Sequence, residues 1–370
     1  MPDTESITSK FTESLIRNKS VVLIFSLAAL GLFVSYFYIG YEHRLEKDAI
    51  SYSEAANFLQ GKSTGGPVPM NRVLTTPLFI YSAIVLNFIF KDFALSASVL
   101  NIIFYFLCIG AFYLLAKEIY KKSEVAFWGS LLFISNYYFI DPGNAHLADM
   151  GGWFFFVLAT YFAVKYIDVS DRKFYYLAIL AAVLGVLYKE YGGLGLVNLM
   201  LLIAVSDFSK KQKIKDIALA GLLFLTPFLS YHLFIYLKYE YSYFNWYLFI
   251  KSTTHNVAYQ TKNFIMLAKI LGWVFSLGWL AWIFGLKEEL KERDKRRLKI
   301  LIAILPAALF FLIWPVIAQR LAFILVPWLA LIAGFGLSKI KPYWAGAFVA
   351  IHALFNYNIK FLLDIINLPF

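Results

Sequence analysis

Two short polar segments interrupt an otherwise apolar chain, and they contain the side chains best suited to chemistry. The first carries Asp48 and, four residues later, Tyr52; the second carries His146 and Asp149. Around them, 61% of the residues are hydrophobic. A carboxylate close to a membrane is costly, so one that persists there usually has a function. A partly desolvated aspartate can act as a general base that takes a proton from a hydroxyl group.

Asp48 has two interpretations. Residues 49–60 are amphipathic and predict a helix at the membrane interface, which Gly61 ends. Side chains four residues apart share one face of a helix, so Asp48 and Tyr52 would lie together. Asp48 is therefore either a general base or the N-cap of this helix, a position that aspartate favours. Both interpretations stay open at the level of sequence.

The spacing of His146 and Asp149 would suit two metal ligands. However, the chain has only five histidines, and none forms a His-x-x-x-His pair. We therefore predict no protein metal site here. The two side chains either contribute to a substrate site, or Asp149 caps a helix that starts at Gly151.

Lys189 and Glu190 lie inside a long apolar stretch, residues 174–206. Ions at such depth pair with each other or with a neighbouring helix, or they mark a substrate site. The glycines that follow permit a tight turn, so we predict two short helices that meet near this charged pair.

Three further residues are candidates for binding a phosphate. Arg72 follows a stretch rich in glycine and proline, and Arg320 lies between two apolar runs. A guanidinium group matches phosphate in a bidentate geometry, although either arginine could instead anchor the chain at the interface. His255, in a polar loop, is a weaker candidate for the same contact.

The elements that must position these residues are transmembrane helices. The mean hydropathy is +0.67, and apolar runs of spanning length recur through the 370 residues. We expect one all-α polytopic membrane domain over residues 1–370. The net charge of +11 does not indicate nucleic acid, because the basic residues cluster in loops of one face, as the positive-inside rule describes. The clusters fall at residues 10–19, 117–122, 165–173, 210–215, 287–299 and 339–341.

Placing these six clusters in the cytoplasm fixes the predicted topology, with the N-terminus cytoplasmic. The apolar stretch 77–90 is about 21 Å long as a helix, too short for a hydrocarbon core of about 30 Å. It is predicted to be an outer-surface or re-entrant helix within a first outer loop over residues 42–92. The remaining pattern predicts about eleven crossings, including single spans at 125–140, 264–286 and 300–317, with both polar segments on the outer side.

Four motifs, in this order, resemble the GT-C glycosyltransferases, in the branch that contains protein O-mannosyltransferases and the bacterial lipid A aminoarabinose transferase. The residues that carry the resemblance are Asp48-x-x-x-Tyr52 with Gly61, Arg72 and Pro77; His146-Leu-Ala-Asp149-Met-Gly-Gly; Lys189-Glu190 after Gly185; and Gln319-Arg320 with Pro327 and Gly334-Phe-Gly336.

The resemblance implies a GT-C-like fold and an inverting transfer of a hexose or pentose. The sugar would pass from a polyprenyl-phosphate carrier to a lipid, glycan or protein acceptor on the outer face. It implies Asp48 as catalytic base, Asp149 in a substrate site, and Arg72, Lys189 and Arg320 beside the carrier phosphate. The first motif has one acid rather than an Asp-x-Asp pair, which leaves dependence on a divalent metal open.

Two other function classes compete with this interpretation. Broken helices and intramembrane charges also occur in transporters and in flippases for lipid-linked sugars. Such proteins usually show internal two-fold symmetry of hydropathy, with charges near the midplane, and neither pattern is evident here. A non-catalytic assembly subunit is the third alternative, and it would tolerate the loss of Asp48.

Overall fold

The structure is a computed structural model that describes residues 4–37, 47–254, 264–313 and 319–365. These residues form helices and connecting turns throughout. In chain order the helices are α1 (Thr4–Phe37), α2 (Lys47–Leu59), α3 (Pro67–Thr75), α4 (Pro77–Phe90), α5 (Phe93–Tyr120), α6 (Ser123–Ile134), α7 (Tyr137–Asn144), α8 (Asp149–Val169), α9 (Arg172–Tyr188), α10 (Leu194–Val205), α11 (Lys210–Tyr239), α12 (Tyr243–Thr254), α13 (Phe264–Phe275), α14 (Gly278–Glu292), α15 (Lys295–Ala308), α16 (Gln319–Ala322), α17 (Val326–Leu337) and α18 (Pro342–Ile365). Short 3₁₀ turns lie at Glu190–Gly193, Phe310–Leu312 and Phe323–Leu325.

Within the described ranges, four segments are long and apolar enough to cross a membrane, or up to six if each bent helix pair is one span. The four are α5, α8, α11 and residues 320–337. The all-α membrane fold is therefore confirmed, whereas eleven crossings stay a prediction. Helix α11 carries leucine and phenylalanine side chains that lie exposed on the protein surface, as expected for a helix that faces lipid.

Three segments predicted as single spans are interrupted. The span at 125–140 breaks at Ser135 and Asn136, and the span at 264–286 bends by 85° between α13 and α14. The span predicted at 300–317 is helical only to Ala308, after which a 3₁₀ turn follows. At the first two breaks, side chains bind freed backbone groups: Asn136 donates to the carbonyl of Val274, and Asn356 accepts from the amide of Tyr137 at 2.6 Å.

Two other local predictions are confirmed. Helix α4 has the expected bounds, and it follows α3 after a bend of 99°. The stretch 174–206 forms two helices, α9 and α10, separated at Lys189. Tyr188 lies against Gly151, and the Tyr175 ring lies 5.1 Å from the Tyr166 ring. Helix α9 therefore runs antiparallel to α8 and returns the chain to the end at which α8 begins.

Glycines bring α17 close to two neighbouring helices. A Cβ atom on Gly334 would lie 2.5 Å from the amide nitrogen of Gly129 in α6. One on Gly336 would lie 2.7 Å from the amide nitrogen of Gly285 in α14. Small residues let helix backbones approach in this way, and within a membrane such packing supplies much of the association energy. The Gly-Phe-Gly segment therefore holds α17 between α6 and α14.

Charged side chains gather at one end of the bundle, which we call the basic end. Arg296 donates from Nε to Asp168 at 2.9 Å, and Lys121 contacts the same carboxylate at 3.0 Å. Arg172 pairs with the fully buried Asp216 at 2.7 Å. These contacts join the ends of α5 and α8 to the start of α15, and the start of α9 to the first turns of α11.

A second group of ions at the basic end connects α14, α15 and the turn between α17 and α18. Arg297 pairs with the buried Glu289 at 3.2 Å and with Glu292 at 2.7 Å. Lys339 also pairs with Glu292. Four of the six predicted basic clusters supply residues to these contacts, and a fifth, residues 210–215, directly precedes Asp216, so five clusters lie at this end of the molecule. The side chains of the first cluster are described only from Lys19.

Candidate active site

The opposite end of the bundle holds a cluster of charged and hydroxyl side chains around Tyr52, which we call the site end. Arg72 donates from Nε to the hydroxyl oxygen of Ser51 at 2.8 Å, and its Nη1 lies 3.5 Å from the Tyr52 hydroxyl. The guanidinium carbon lies 4.6 Å from the centre of the Tyr52 ring. Lys189 donates to the same tyrosine hydroxyl at 3.3 Å. Two cations thus converge on one hydroxyl group.

The sequence around α2 explains why Tyr52 can occupy this position. Helix α2 ends at Leu59, and Gly61 adopts a left-handed φ of +69°. The amide of Lys62 then bonds the carbonyl of Asn57 at 2.8 Å, closing the helix end. Tyr52 is only 1% exposed. The short helix therefore presents a buried tyrosine toward the bundle, whereas Ile50, which the sequence placed on its apolar face, is 46% exposed.

Arg72 is positioned by the break between α3 and α4. Thr76 donates from its hydroxyl to the carbonyl of Arg72 at 2.9 Å, and Pro77 starts the next helix. Tyr241 contacts the Asn71 side chain, and Tyr231 contacts the carbonyl of Val73. These contacts hold α3 against α11 and against the segment that follows α11.

Lys189 is positioned by the break between α9 and α10. Its backbone is extended, with φ −159° and ψ 135°, between α9 and a 3₁₀ turn. The turn is tight: a Cβ on Gly185 would lie 2.6 Å from the carbonyl oxygen of Gly192. The Lys189 ammonium group lies 3.9 Å from a carboxylate oxygen of Glu190 and within electrostatic range of Asp149 and Arg72.

Asp149 is fully buried next to this cluster. The hydroxyl of Tyr191 donates to both the backbone oxygen and the Oδ1 atom of Asp149, each at 2.9 Å. Among the described residues, none donates a hydrogen bond to its Oδ2 atom. Buried polar atoms in folded proteins are nearly always satisfied, so this oxygen is a point at which a ligand group could bind.

The helix-cap interpretation of Asp149 is wrong. Helix α8 starts at Asp149 rather than at Gly151, and Ala148 occupies the N-cap position without a side-chain cap bond. The carboxylate is instead held by Tyr191 from another element. Its place in the first turn of α8 is still electrostatically favourable, because a negative charge is stabilised at a helix N-terminus.

Two glycines at the start of α8 make room for this arrangement. A Cβ atom on Gly151 would lie 2.2 Å from a ring carbon of Tyr188. One on Gly152 would lie 2.7 Å from the ring of Tyr191 and 2.8 Å from the Cβ of Lys189. Without a side chain at these positions, the 3₁₀ turn can lie directly against α8.

His146 lies in the loop that leads into α8 and is 4% exposed. Its Nε2 atom is 2.9 Å from the hydroxyl of Ser98. Asn101 donates to the carbonyls of Ala145 and, at 3.0 Å, of Leu147. The loop is therefore attached to α5 through His146 and Asn101.

The structure describes the remaining predicted residues to different extents. Arg320 begins the last long apolar segment and lies within electrostatic range of Tyr191, on the same side of the bundle as the cluster. Asp48 lies in the first turn of α2, one turn before Tyr52. The Asp48 side chain and all of His255 lie outside the described residues.

Sequence reasoning missed Tyr191 and Ser51, the two residues that hold Asp149 and Arg72. Tyrosine occurs 25 times in the chain, so neither its type nor its frequency singles out position 191. The sequence feature that could have identified Tyr191 is its position between the Lys-Glu pair and a Gly-Gly pair. For Ser51 the signal was its place next to Tyr52.

Within the ranges that the structure covers, no three His, Cys, Asp or Glu side chains gather closely enough to hold a metal ion. At the cluster itself, the acids Asp149 and Glu190 are interleaved with the cations Lys189 and Arg72. The cluster therefore includes two cations, Lys189 and Arg72, to which an anionic group could bind.

Residues 75–232, less than half of the chain, match the family model for dolichyl-phosphate-mannose-protein mannosyltransferase. This range contains the second and third motifs and begins just after Arg72. The resemblance to the protein O-mannosyltransferase branch is confirmed over these residues. No curated protein matches the chain at the level of sequence.

The fold is similar to that of ArnT from Cupriavidus metallidurans, which has been solved bound to undecaprenyl phosphate and in the apo state. The bound form matches with a TM-score of 0.70 and 15% identity, over 94% of this chain and 66% of the ArnT chain. The apo form matches with a TM-score of 0.66 and 16% identity, over 95% and 65%. The chain thus spans just under two thirds of the length of ArnT and shares its GT-C fold.

Proposed function

We propose that the chain is an integral membrane glycosyltransferase that moves a sugar from a polyprenyl-phosphate carrier to a hydroxyl group of an acceptor. The observation that carries this proposal is the convergence of Arg72 and Lys189 on the Tyr52 hydroxyl at the site end. The family match over residues 75–232 supports the same reaction class, and ArnT, with the same fold, was solved with undecaprenyl phosphate.

The two cations would bind the carrier phosphate. Lys189 is 8% exposed and Arg72 is partly buried, so their charges are screened less than those of surface residues. A phosphate carries oxygen acceptors that match both an ammonium and a guanidinium group. Arg320 would add a third positive charge from the far side of Tyr191. The cluster would therefore favour an anionic leaving group over a neutral one.

Asp48 would act as the general base. Helical spacing puts position 48 on the same face of α2 as Tyr52. The acceptor oxygen would attack the anomeric carbon as Asp48 takes its proton. The bond between that carbon and the carrier phosphate oxygen breaks, and the phosphate leaves with the bonding electrons. Attack from the face opposite the phosphate would invert the anomeric centre, whether the sugar is a hexose or a pentose.

Asp149 would position a substrate rather than accept the proton. Its Oδ1 atom is already held by Tyr191, which fixes the carboxylate plane. Its Oδ2 atom could then accept a hydrogen bond from a hydroxyl group of the sugar or of the acceptor. Glu190, whose side chain is 17% exposed, would offer a second carboxylate at the edge of the same cluster.

The basic end would lie in the cytoplasm and the site end outside it. Five basic clusters meet at the basic end, and lysine and arginine accumulate on the cytoplasmic side of membrane proteins. The N-terminus would then be cytoplasmic, in the plasma membrane or the inner membrane. The sugar would be transferred to a lipid, glycan or protein acceptor at the outer surface.

The test is the substitution Asp48→Asn in purified protein, with release of free polyprenyl phosphate from a polyprenyl-phosphate sugar as the readout. Loss of a general base typically lowers a rate by about 10² to 10⁴. Detergent micelles have no second leaflet, so the readout reports chemistry rather than flipping. Glu54→Gln, an exposed acid on the same helix, is the matched control and should keep the wild-type rate.

Binding of the donor should persist in the Asp48→Asn protein, because Asn keeps the size of the side chain and Arg72 and Lys189 are unchanged. A rate within three-fold of wild type would remove Asp48 from the catalytic role. Rate loss together with loss of donor binding would instead show that position 48 supports the binding site.

A further inference from the structure

A groove of about 400 Å³ lies between α1 and α5, away from the cluster around Tyr52. Val21 and Phe25 of α1 line one wall, and Gly110, Tyr113 and Lys117 of α5 line the other. The volume lies within the range of about 300–1,000 Å³ found for small-molecule sites.

The groove is distinct from the candidate active site. Ser98, which contacts His146 at the site end, precedes Lys117 by 19 residues in the continuous helix α5. At a rise of about 1.5 Å per residue, this separation is about 28 Å along the helix axis. Lys117 also lies one turn before Lys121, which belongs to the ion network with Asp168. The groove therefore opens at the basic end.

The walls combine apolar surface with two polar groups on one face of α5. The Tyr113 side chain is 6% exposed, and no described residue bonds its hydroxyl group. Lys117 follows four residues later, so the hydroxyl and the ammonium group lie one turn apart on one side of the helix. A buried hydroxyl without a partner is costly unless a ligand supplies one.

Gly110 lines the α5 wall of the groove. A Cβ atom at this position would meet Phe25 at 3.7 Å, which is an ordinary van der Waals distance. A larger side chain could therefore enter the groove without displacing the backbone of α1.

We propose that this groove binds one anionic phospholipid, with an acyl chain between α1 and α5 and its phosphate at Lys117 and Tyr113. The apolar wall matches the chain, the ammonium group matches the negative charge, and the hydroxyl can donate to a phosphate or ester oxygen. Juxtamembrane lysines attract anionic lipids in the same way. The site is separate from sugar transfer and does not depend on the proposed function.

The experiment is native mass spectrometry of the full chain in detergent, titrated with phosphatidylglycerol or with phosphatidylcholine. We expect one phosphatidylglycerol to bind more tightly than any phosphatidylcholine. Lys117→Gln should weaken that binding about five-fold, the size expected for one lysine beside an anionic headgroup. The matched control Lys122→Gln removes an exposed charge at the same end and should leave binding unchanged.

Filling the groove tests the acyl-chain part of the site. Gly110→Leu should abolish the tight phosphatidylglycerol, whereas Gly346→Leu, at a helical glycine with open space around its Cβ, should not. Tyr113→Phe should weaken lipid binding without lowering the unfolding temperature, because the hydroxyl has no described protein partner to lose. Equal binding of the two lipids, or wild-type binding by the Gly110→Leu protein with an unchanged unfolding temperature, would overturn the proposal. So would preferential binding of polyprenyl phosphate at this groove.

Discussion

Each end of the bundle contains a fully buried aspartate, and the two are satisfied very differently. At the basic end, Asp216 receives Arg172 at 2.7 Å and the Tyr166 hydroxyl at 2.5 Å, one on each carboxylate oxygen. At the site end, Asp149 receives Tyr191 on one oxygen only. Its second oxygen has no donor among the described residues.

We interpret this difference as one between charges that stabilise the fold and charges that are available to bind a ligand. A buried ion that is fully paired fixes the elements that carry its partners, and removing one partner is strongly destabilising. A buried ion that is only half satisfied contributes less to the fold, and such groups concentrate at functional sites. We therefore interpret the ion pairs of the basic end as structural contacts between helix ends, and the site end as a preformed binding surface.

The largest expected difference between the two ends appears when each aspartate is neutralised in turn. Asp216→Asn should lower the free energy of unfolding by about 1–3 kcal/mol, because Asn keeps one acceptor oxygen and either Arg172 or Tyr166 loses its hydrogen-bond partner. Asp149→Asn should change it by about 1 kcal/mol or less, since Asn keeps an acceptor for Tyr191 and the lost oxygen had no donor. Thermal or denaturant unfolding in detergent, followed by tryptophan fluorescence, measures both.

The two variants should rank in the opposite order when sugar transfer is measured, with Asp149→Asn reducing the rate more than Asp216→Asn. The Asp149→Asn protein should fold normally and transfer sugar more slowly, although less severely impaired than Asp48→Asn. Equal destabilisation by Asp149→Asn and Asp216→Asn would mean that both ends are structural, and the distinction between them would fail.

A second test concerns the close approach that builds the site end. Gly152→Ala puts a Cβ 2.7 Å from the Tyr191 ring and 2.8 Å from the Cβ of Lys189, so the 3₁₀ turn must move. Overpacking of this kind costs about 1–3 kcal/mol. It should also lower affinity for the donor, because Lys189 shifts with the turn. Gly272→Ala, at an exposed glycine with nothing near its Cβ, is the control and should be neutral or slightly stabilising.

Much of the fold could be predicted because local sequence decides where these helices begin and end. Pro77 starts α4, and Lys91 ends it in a left-handed conformation. The breaks near residues 135 and 276 were missed for a physical reason. Neither carries a proline, and the groups that satisfy the broken backbone come from distant positions, such as Asn356 bonding Tyr137. Only tertiary contacts reveal such breaks.

The site could be predicted in part. Lys189, Arg72 and Asp149 could be identified because they are charged residues in apolar surroundings. Burying an ion is energetically costly, so such residues usually have a function. Tyr191 could not be found in this way, since a tyrosine suits an apolar neighbourhood as well as a polar one. Its role depends on a contact with Asp149, 42 residues earlier in the chain.

The lipid that the protein carries through purification tests the site end directly, whatever the sugar and the acceptor are. The protein is purified in mild detergent, and the bound lipid is identified by mass spectrometry. The wild-type protein should carry a polyprenyl phosphate or its sugar conjugate. The double variant Arg72→Met and Lys189→Met should lose it, while the double variant Lys122→Met and Lys211→Met, at exposed lysines of the basic clusters, should keep it. Polyprenyl phosphate retained at the wild-type level by the folded Arg72/Lys189 double variant would contradict the assignment of these cations to the carrier phosphate.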